Sequence, residues 1–337
     1  MGRGMRNVKA GLWLGIGLSI LALYAAAMPA HANPASGGVI TVLDENDTYS
    51  NTDRNYTNGL KLGYVREPDS TDMLGTWIKN HLWPGSGNFH FRNSYAIGQS
   101  MFTPRNLGIS APQPNDRPYA GWLYGSYGLV AEGAHSVTTA ELELGVVGPL
   151  AGAKWIQDNV HSIVSGAEPK GWDNQIEDTP GADLTVMHQW RRPDPPEWKG
   201  IQFQIEPHVG ATVGDVTTEA FTGASLVVGN NLVYDSLPMR VRPSLAGSGS
   251  FDNVDGIGWF FFAGASARAI AYDIFLEGHT PYKSTIDRRP YVLDAQIGAA
   301  LRLRRAQITF TMVERTKEFS QQNGNDRFGA LSISWHL

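Results

Sequence analysis

Two polar side chains, Gln157 and His161, stand four residues apart in a segment whose apolar residues recur at helical spacing. The segment runs from Leu150 to Ser165, and Gly166 follows as a residue that commonly ends a helix. Residues four positions apart lie on the same side of a helix. Because the unperturbed pKa of histidine is about 6.5, its imidazole can act as a general base near neutral pH. The spacing predicts a general base at His161, although a single helical histidine is also compatible with a structural role.

Oxygen-bearing side chains follow the first predicted strand and the predicted helix. Asn46 and Asp47 come after the strand, and Glu168 comes after the helix. Carboxylate and amide oxygens are the ligands that calcium prefers, and a bound cation stabilises a developing oxyanion. The pattern predicts a calcium site formed by Asp47, Asn46 and Glu168. A solvated turn is the alternative, because such residues favour turns and the first loop lacks the glycine and terminal glutamate of an EF-hand.

Two arginines, Arg105 and Arg117, lie in the third predicted loop. A guanidinium group matches phosphate oxygens in a bidentate arrangement, so both arginines are candidates for binding a phosphorylated substrate. Gln157 is a further candidate for a substrate contact. Because Asp116 directly precedes Arg117, a structural ion pair inside the rim is equally compatible with the sequence.

Outside the helix, the chain after residue 32 alternates between apolar and polar residues in twelve segments. Segments of about ten residues have the length of a tilted transmembrane strand, and bacterial outer-membrane barrels have an even number of strands. The predicted strands cover residues 36–45, 57–67, 92–101, 119–131, 137–148, 182–191, 200–213, 217–229, 257–270, 290–303, 306–317 and 327–337.

Alternation by itself fits a soluble β-sandwich as well as a membrane barrel. The C-terminus favours the barrel, because the chain stops on a strand with Leu331, Ile333, Trp335 and Leu337 on one face. The predicted fold class is therefore all-β, a transmembrane antiparallel β-barrel of about 12 strands with one short extracellular helix after strand 5. Since hairpin loops alternate between the two ends of such a barrel, the first, third and fifth loops would bring the candidate residues to one rim.

The N-terminal residues 1–32 have the pattern of a secretory signal peptide. Three basic residues precede an apolar stretch, and Ala30 and Ala32 form a small-residue cleavage site. Residues 33–337 would form the mature barrel, and they carry 24 basic and 32 acidic residues, a formal charge of −8. This balance argues against a nucleic-acid partner. The chain contains no cysteine, which excludes disulfides and thiolate metal sites.

Several short motifs run through the whole chain after the signal peptide. They are Asn46-Asp47, Tyr56-Thr57-x-Gly59, Asp116-Arg117, Gly148-Pro149, Gln157 with His161, Gly166-Ala167-Glu168 and Trp172-Asp173-x-Gln175-Ile176-Glu177. In this order they resemble the lipid A 3-O-deacylase family of outer-membrane proteins. The resemblance implies a twelve-stranded barrel in the Gram-negative outer membrane, calcium dependence, and hydrolysis of the ester at the 3′-position of lipid A.

The resemblance also implies roles for single residues. His161 would be the general base, and Thr57 would be a supporting hydroxyl. Asn46 and Asp47 would form a polar pair of the active site. Glu168 would be an acidic partner or a metal ligand. The expected partner is lipid A or lipopolysaccharide in the outer leaflet, bound by a monomer.

Two other functions remain compatible with the sequence. A serine-type outer-membrane phospholipase would need a differently placed Ser–His pair, and residues 33–337 contain no G-x-S-x-G or HExxH motif. A passive pore or structural barrel would use polar residues that alternate inward, which are Glu141, Glu143, Gln202, Gln204, Glu206 and Arg302. These side chains could line water or pair across the interior.

Overall fold

The computed structural model describes residues 37–50, 55–83, 87–164, 168–230, 232, 251 and 256–337, and for helix residues 160–164 it describes the backbone only. The predicted signal peptide, residues 1–32, lies outside these ranges and stays a prediction. Within the described ranges, no helix is both long enough and apolar enough to span a membrane.

The described strands form one antiparallel sheet that closes on itself. They are β1 Val39–Asn46, β2 Asn55–Val65, β3 His90–Thr103, β4 Ala120–Glu132, β5 Ser136–Val147, β6 Thr179–Trp190, β7 Glu197–Trp198, β8 Ile201–Gly214, β9 Thr217–Asn230, β10 Ile257–Asp273, β11 Tyr291–Leu303, β12 Ala306–Arg315 and β13 Asp326–His336. Long strands pair in chain order, β6 pairs with β8, and β13 pairs with β1. The two-residue β7 only extends the edge of β8. The predicted barrel of twelve long strands is confirmed.

Among the described residues, helices occupy only the connections between strands. They are α1 Met73–His81, α2 Ala153–Val164 and α3 Ile274–Glu277, with short 3-10 helices at Asp47–Ser50, Pro149–Ala151 and Trp172–Asn174. The predicted helix after strand 5 is confirmed as α2. Its start was predicted too early, because Gly152 has a left-handed φ of 69° and separates the 3-10 turn from the α-helix. Helix α1 was not predicted.

Strand β12 illustrates which side of the barrel is apolar. Gln307, Thr309 and Thr311 are buried inside the barrel. The alternate residues, among them Phe310, face outward. Polar residues inside and apolar residues outside are the reverse of a soluble sandwich and typical of a barrel surrounded by lipid. The burial pattern therefore selects the membrane barrel from the two folds that alternation allowed.

Charged side chains inside the barrel pair with one another. Glu318 lies at the centre of a group of three arginines. Its carboxylate oxygens are 2.5 Å from Arg117 Nη2 and 3.6 Å from nitrogens of both Arg268 and Arg315. An apolar cluster fills the neighbouring space: Leu43, Tyr56, Phe102, Trp122, Val216, Phe275 and Phe328. The sequence left two roles for inward charges, which were to line water or to pair across the interior. The described part of the interior supports pairing.

The connections divide between two ends of the barrel. We call the outer end the one that carries loops 47–54, 104–119, 148–178, 215–216, 274–290 and 316–325. The inner end carries the start of β1, the end of β13 and the remaining connections. The first, third and fifth loops therefore share one end, as the alternation of hairpins predicted.

Candidate active site

The first loop bends over the outward face of the barrel wall. Asn46 ends β1, and its Oδ1 accepts a hydrogen bond from the backbone N–H of Thr48 at 2.8 Å. Asp47 begins the 3-10 turn and is fully buried. Tyr49 packs edge-on against Phe310, with ring centroids 5.7 Å apart. The turn thus covers the wall at β12 and β13 and holds Asn46 and Asp47 at the rim.

A hydrogen-bonded polar group lies on the outward face next to Asn46. The Tyr49 hydroxyl donates to Asp44 Oδ2 at 2.8 Å, and Asn58 Nδ2 donates to Asp44 Oδ1 at 3.3 Å. Burial, with the nearby Asp44 carboxylate, raises the pKa of Tyr49, so this hydroxyl keeps its proton. Asp44 and Asn46 continue the outward row that begins with the apolar Ile40. The lipid-facing side of β1 therefore becomes polar at its outer end.

Thr57 lies at an irregularity between β2 and β3. The strand register shifts between Tyr56 and Asn58, so Thr57 is the extra residue of a bulge. Its Oγ1 lies 2.6 Å from Oγ1 of Thr103, and it is buried. The bulge brings the Thr57 hydroxyl to the rim between the first loop and the strands that carry α2.

Helix α2 packs against the outside of β3 and β4. Ala153 belongs to an apolar cluster with Met101 of β3 and Trp172 of the same loop. Gln99 Nε2 donates to the carbonyl oxygen of Ala151 at 2.5 Å. Gly121 makes the close approach possible, because a Cβ at this position would lie 2.6 Å from the Cβ of Ala153. The first loop and α2 therefore flank the same outward surface, which we call the rim site, on β1 to β4 at the outer end.

A methyl group at Gly121 is expected to displace α2. The contact with Ala153 is too short to accommodate without movement, and a shift of about 1 Å can cost about 100-fold in catalysis. We expect Gly121→Ala to lower the rate of the reaction proposed below by about 10- to 100-fold. Gly125→Ala is the matched control, because its Cβ would meet nothing closer than 3.9 Å. Equal activity of the two variants would show that the reaction does not require close packing of α2 against β4.

Gln157 holds α2 to the rest of its loop. Its Oε1 accepts a hydrogen bond from Trp172 Nε1 at 2.8 Å, and the side chain is 3% exposed. This hydrogen bond gives Gln157 a positioning role in the structure, and its predicted contact with substrate stays a prediction. His161 lies one helical turn further along α2, and its side chain is outside the described part of the chain. Its role as a general base therefore stays a prediction.

The two arginines have different environments. Arg117 is fully buried and pairs with Glu318, not with its neighbour Asp116. Its guanidinium carbon also lies 5.2 Å from the ring centroid of Phe102. Arg105 is exposed and helps line a polar pocket of about 300 Å³ at the outer end. The other residues that line this pocket are Asn55, Gln113, Pro114, Asn115, Asp116, Gln321, Gln322 and Asn323. Of the two predicted phosphate ligands, only Arg105 presents its side chain at the surface.

The residues predicted to bind calcium are only partly brought together. Asn46 and Asp47 are adjacent at the rim, and their amide and carboxylate oxygens suit calcium. The Glu168 side chain is 80% exposed, and its carboxylate lies 3.8 Å from Lys170 Nζ. In the described ranges, no group of three or more His, Cys, Asp or Glu side chains is placed to hold a metal ion. The donor chemistry at Asn46 and Asp47 fits calcium, and the metal stays a prediction.

Sequence reasoning did not identify the polar pair beside Asn46 or the bonding partners of two predicted residues. The polar pair is Asp44 and Asn58, and the partners of Thr57 and Gln157 are Thr103 and Trp172. The first had a detectable signal, because Asp44 stands at a position of β1 where alternation calls for a lipid-facing apolar residue. The partners of Thr57 and Gln157 had none, because they depend on contacts between segments 46 and 15 residues apart.

A closed barrel with an apolar outward face and a polar rim site defines an integral outer-membrane protein with a candidate site at the membrane surface. The family model of outer membrane protein LpxR matches residues 18–337, and the chain therefore belongs to this family. This match confirms the resemblance inferred from the motifs and the location in the outer membrane.

Comparison with a solved structure supports the same fold. LpxR from Salmonella typhimurium is 20% identical and superposes with a TM-score of 0.72, covering 89% of this chain and 100% of that one. The beta domain of the Bordetella autotransporter Brka is 11% identical, with a TM-score of 0.45 and coverage of 90% and 100%. No curated protein sequence gave a significant match.

Proposed function

We propose that the protein is a carboxylic ester hydrolase that removes the acyl or acyloxyacyl group from the 3′-position of lipid A in the outer leaflet. The observation that carries this proposal is the position of the rim site. Its polar residues lie on the outward face of the barrel, where the strands face lipid, and the first loop and α2 flank them. A site inside the lumen would not be reached by an ester linkage held in the membrane. The family membership supports the same assignment.

In the proposed reaction, His161 takes a proton from water while the water oxygen attacks the ester carbonyl carbon. The carbonyl oxygen becomes an oxyanion in the tetrahedral intermediate. The bond to the sugar oxygen then breaks, and His161 returns the proton to that oxygen. Thr57 and Asn46 supply polar groups beside the reacting ester, and Gln157 positions α2 through Trp172. Of the two predicted arginines, Arg105 is the exposed one and would bind a lipid A phosphate.

Calcium is the cofactor we propose for this site. Asp47 and Asn46 would hold it, with Glu168 as a further ligand. When bound, it supplies a fixed positive charge that stabilises the oxyanion without a proton transfer. Hard oxygen ligands at the rim support this assignment.

The test of the reaction is mass spectrometry of lipid A from cells with and without the protein. Loss of the 3′-acyl or acyloxyacyl mass is expected only in cells that make the protein. Unchanged lipid A with a folded barrel in the outer membrane would contradict the proposal. Loss of mass from glycerophospholipids in place of lipid A would favour the phospholipase alternative.

Removal of calcium is expected to stop the purified enzyme. A chelator should lower deacylation by about 100-fold or more, because loss of one group that stabilises an oxyanion costs about 10²–10³-fold, and added calcium should restore it. The variant Asp47→Asn should need more calcium for half-maximal rate. Asp158→Asn is the control, since that carboxylate lies on α2 and pairs with Lys154. Full activity after exhaustive chelation would remove calcium from the mechanism.

A further inference from the structure

The inner end carries a helix that the proposed reaction does not use. Helix α1 lies against the outward face of β3 and β4. Its Ile78, with Trp83 just beyond the helix, packs against Phe91, Leu129 and Ala131. Phe91 belongs to the same outward row of β3 as Ile97, whose side chain is 57% exposed. The helix is therefore attached to the lipid-facing side of the wall and does not plug the lumen.

Hydrogen bonds fix the start of α1 to the wall. Asp72 caps the helix and accepts a hydrogen bond from the backbone N–H of Gly75 at 2.7 Å. The same carboxylate accepts from the hydroxyls of Tyr95 at 2.5 Å and Tyr127 at 2.8 Å. The backbone N–H of Asp72 donates to Asn93 Oδ1 at 2.8 Å. Because its partners lie on two different strands, the helix cannot swing away without breaking several bonds.

The side of α1 next to this contact exposes large apolar residues. Met73 is 90% exposed, Leu74 51% and Trp77 50%. These residues recur at helical spacing beside the barrel contact. Thr76, Lys79 and Asn80 are also exposed and make up the polar side of the same helix. Such a division between apolar and basic or polar faces is typical of a helix that lies in a membrane interface.

The length of β3 that is left uncovered between α1 and α2 places α1 within the membrane. On β3, Tyr95 bonds to the cap of α1, and Gln99 bonds to the turn before α2. The four steps along the strand from Tyr95 to Gln99 span only about 13 Å at about 3.3 Å per residue. On β8, exposed apolar residues run from Phe203 to Val213, which is about 33 Å by the same measure. Since the apolar band has one height around the barrel, the helices must occupy the rest of it at β3.

We propose that α1 is an interfacial helix embedded in the periplasmic leaflet, with phospholipid acyl chains against Met73, Leu74 and Trp77. Bacterial barrels with an even number of strands have both termini and the periplasmic turns at one end, which is the inner end here. The Lys79 ammonium lies 4.8 Å from the ring centroid of Phe91, so this side chain adds a cation–π contact between the helix and the wall. The helix acts as a membrane contact of the barrel, independently of the chemistry at the outer end.

Single nitroxide labels test this placement, because the chain has no native cysteine. The variants Leu74→Cys and Asn80→Cys are labelled in the full barrel and reconstituted in vesicles of phosphatidylethanolamine and phosphatidylglycerol. Oxygen concentrates among acyl chains, whereas a polar nickel chelate stays in water. The ratio of oxygen to nickel collision rates is expected to be about tenfold higher at Leu74 than at Asn80, the polar-face control.

Three results would overturn the proposal. Equal ratios at the two positions would mean that α1 lies in water. Spin–spin broadening of the Leu74 label would mean that a second copy covers the face. Low collision rates with both reagents at Leu74 would mean that protein, in place of lipid, covers it. Each labelled variant must keep the heat-dependent gel shift of a folded barrel, and a label at Trp77 provides a second position if Leu74→Cys does not fold.

Discussion

Replacing His161 by alanine is expected to lower the rate of lipid A deacylation by about 10²–10⁴-fold, the usual contribution of a general base, while the barrel stays folded. The reason is that the unperturbed pKa of histidine, about 6.5, suits an imidazole to accept a proton near neutral pH. The rate is measured by mass spectrometry of lipid A incubated with the purified variant, and folding by the heat-dependent shift in gel mobility. An intermediate pH optimum that disappears in the variant would identify the imidazole as the titrating group.

The matched control is His279→Ala. His279 lies in another outer-end loop, is 78% exposed, and has its Nε2 3.7 Å from Glu177. It shares the residue type and the membrane surface with His161 but lies outside α2. We expect this variant to retain its activity. A similar loss in both variants would argue for a general effect on the outer loops, and retained activity of His161→Ala would exclude the proposed base.

Replacing Arg117 by methionine is expected to destabilise the barrel by about 3–5 kcal/mol, the usual cost of removing one partner of a buried ion pair. The reason is the complete burial of both Arg117 and Glu318. Methionine fills the apolar space beside Phe102 but leaves the carboxylate of Glu318 with two more distant arginines, at 3.6 Å each. The free energy of unfolding is measured by urea titration in lipid vesicles.

Arg105→Met distinguishes a structural role from substrate binding. Arg105 is exposed, so we expect this variant to unfold at the same urea concentration as the unmodified protein. Its expected defect is a higher KM for lipid A that carries phosphate groups. If Arg117→Met instead left stability unchanged and raised KM, Arg117 would bind substrate. The structural role assigned to its ion pair with Glu318 would then be wrong.

The barrel was predictable because its signal is local and repeated. Gln307, Thr309 and Thr311 alternate with Ile308 and Phe310 along β12, and each strand carries its own version of this pattern. Helix α2 was predictable for the same reason, from apolar spacing within one segment. The order of hairpins then placed Asn46, Asp47 and the helix at one end without any knowledge of side-chain contacts.

Helix α1 was missed because its environment, and not its own pattern, stabilises it. Its nine residues are fewer than an isolated helix needs in water. The stabilising contacts come from Tyr95, Tyr127 and the outward face of β3 and β4, which lie up to 55 residues away. An apolar segment in a loop also conflicts with the usual rule that exposed loops are polar. The rule fails here because the helix lies beside lipid.

From the sequence alone one can infer the twelve strands, the helix after the fifth strand, the shared end of the odd loops and the resemblance to a family. The tertiary structure was needed to show that Arg117 pairs with Glu318, that Gln157 bonds to Trp172, and that the first loop and α2 lie outside the wall. The physical reason is the range of the interactions. Alternation and helical spacing depend on neighbours within a few residues, whereas the buried ion pair joins residues 201 positions apart, which only closure of the barrel brings together.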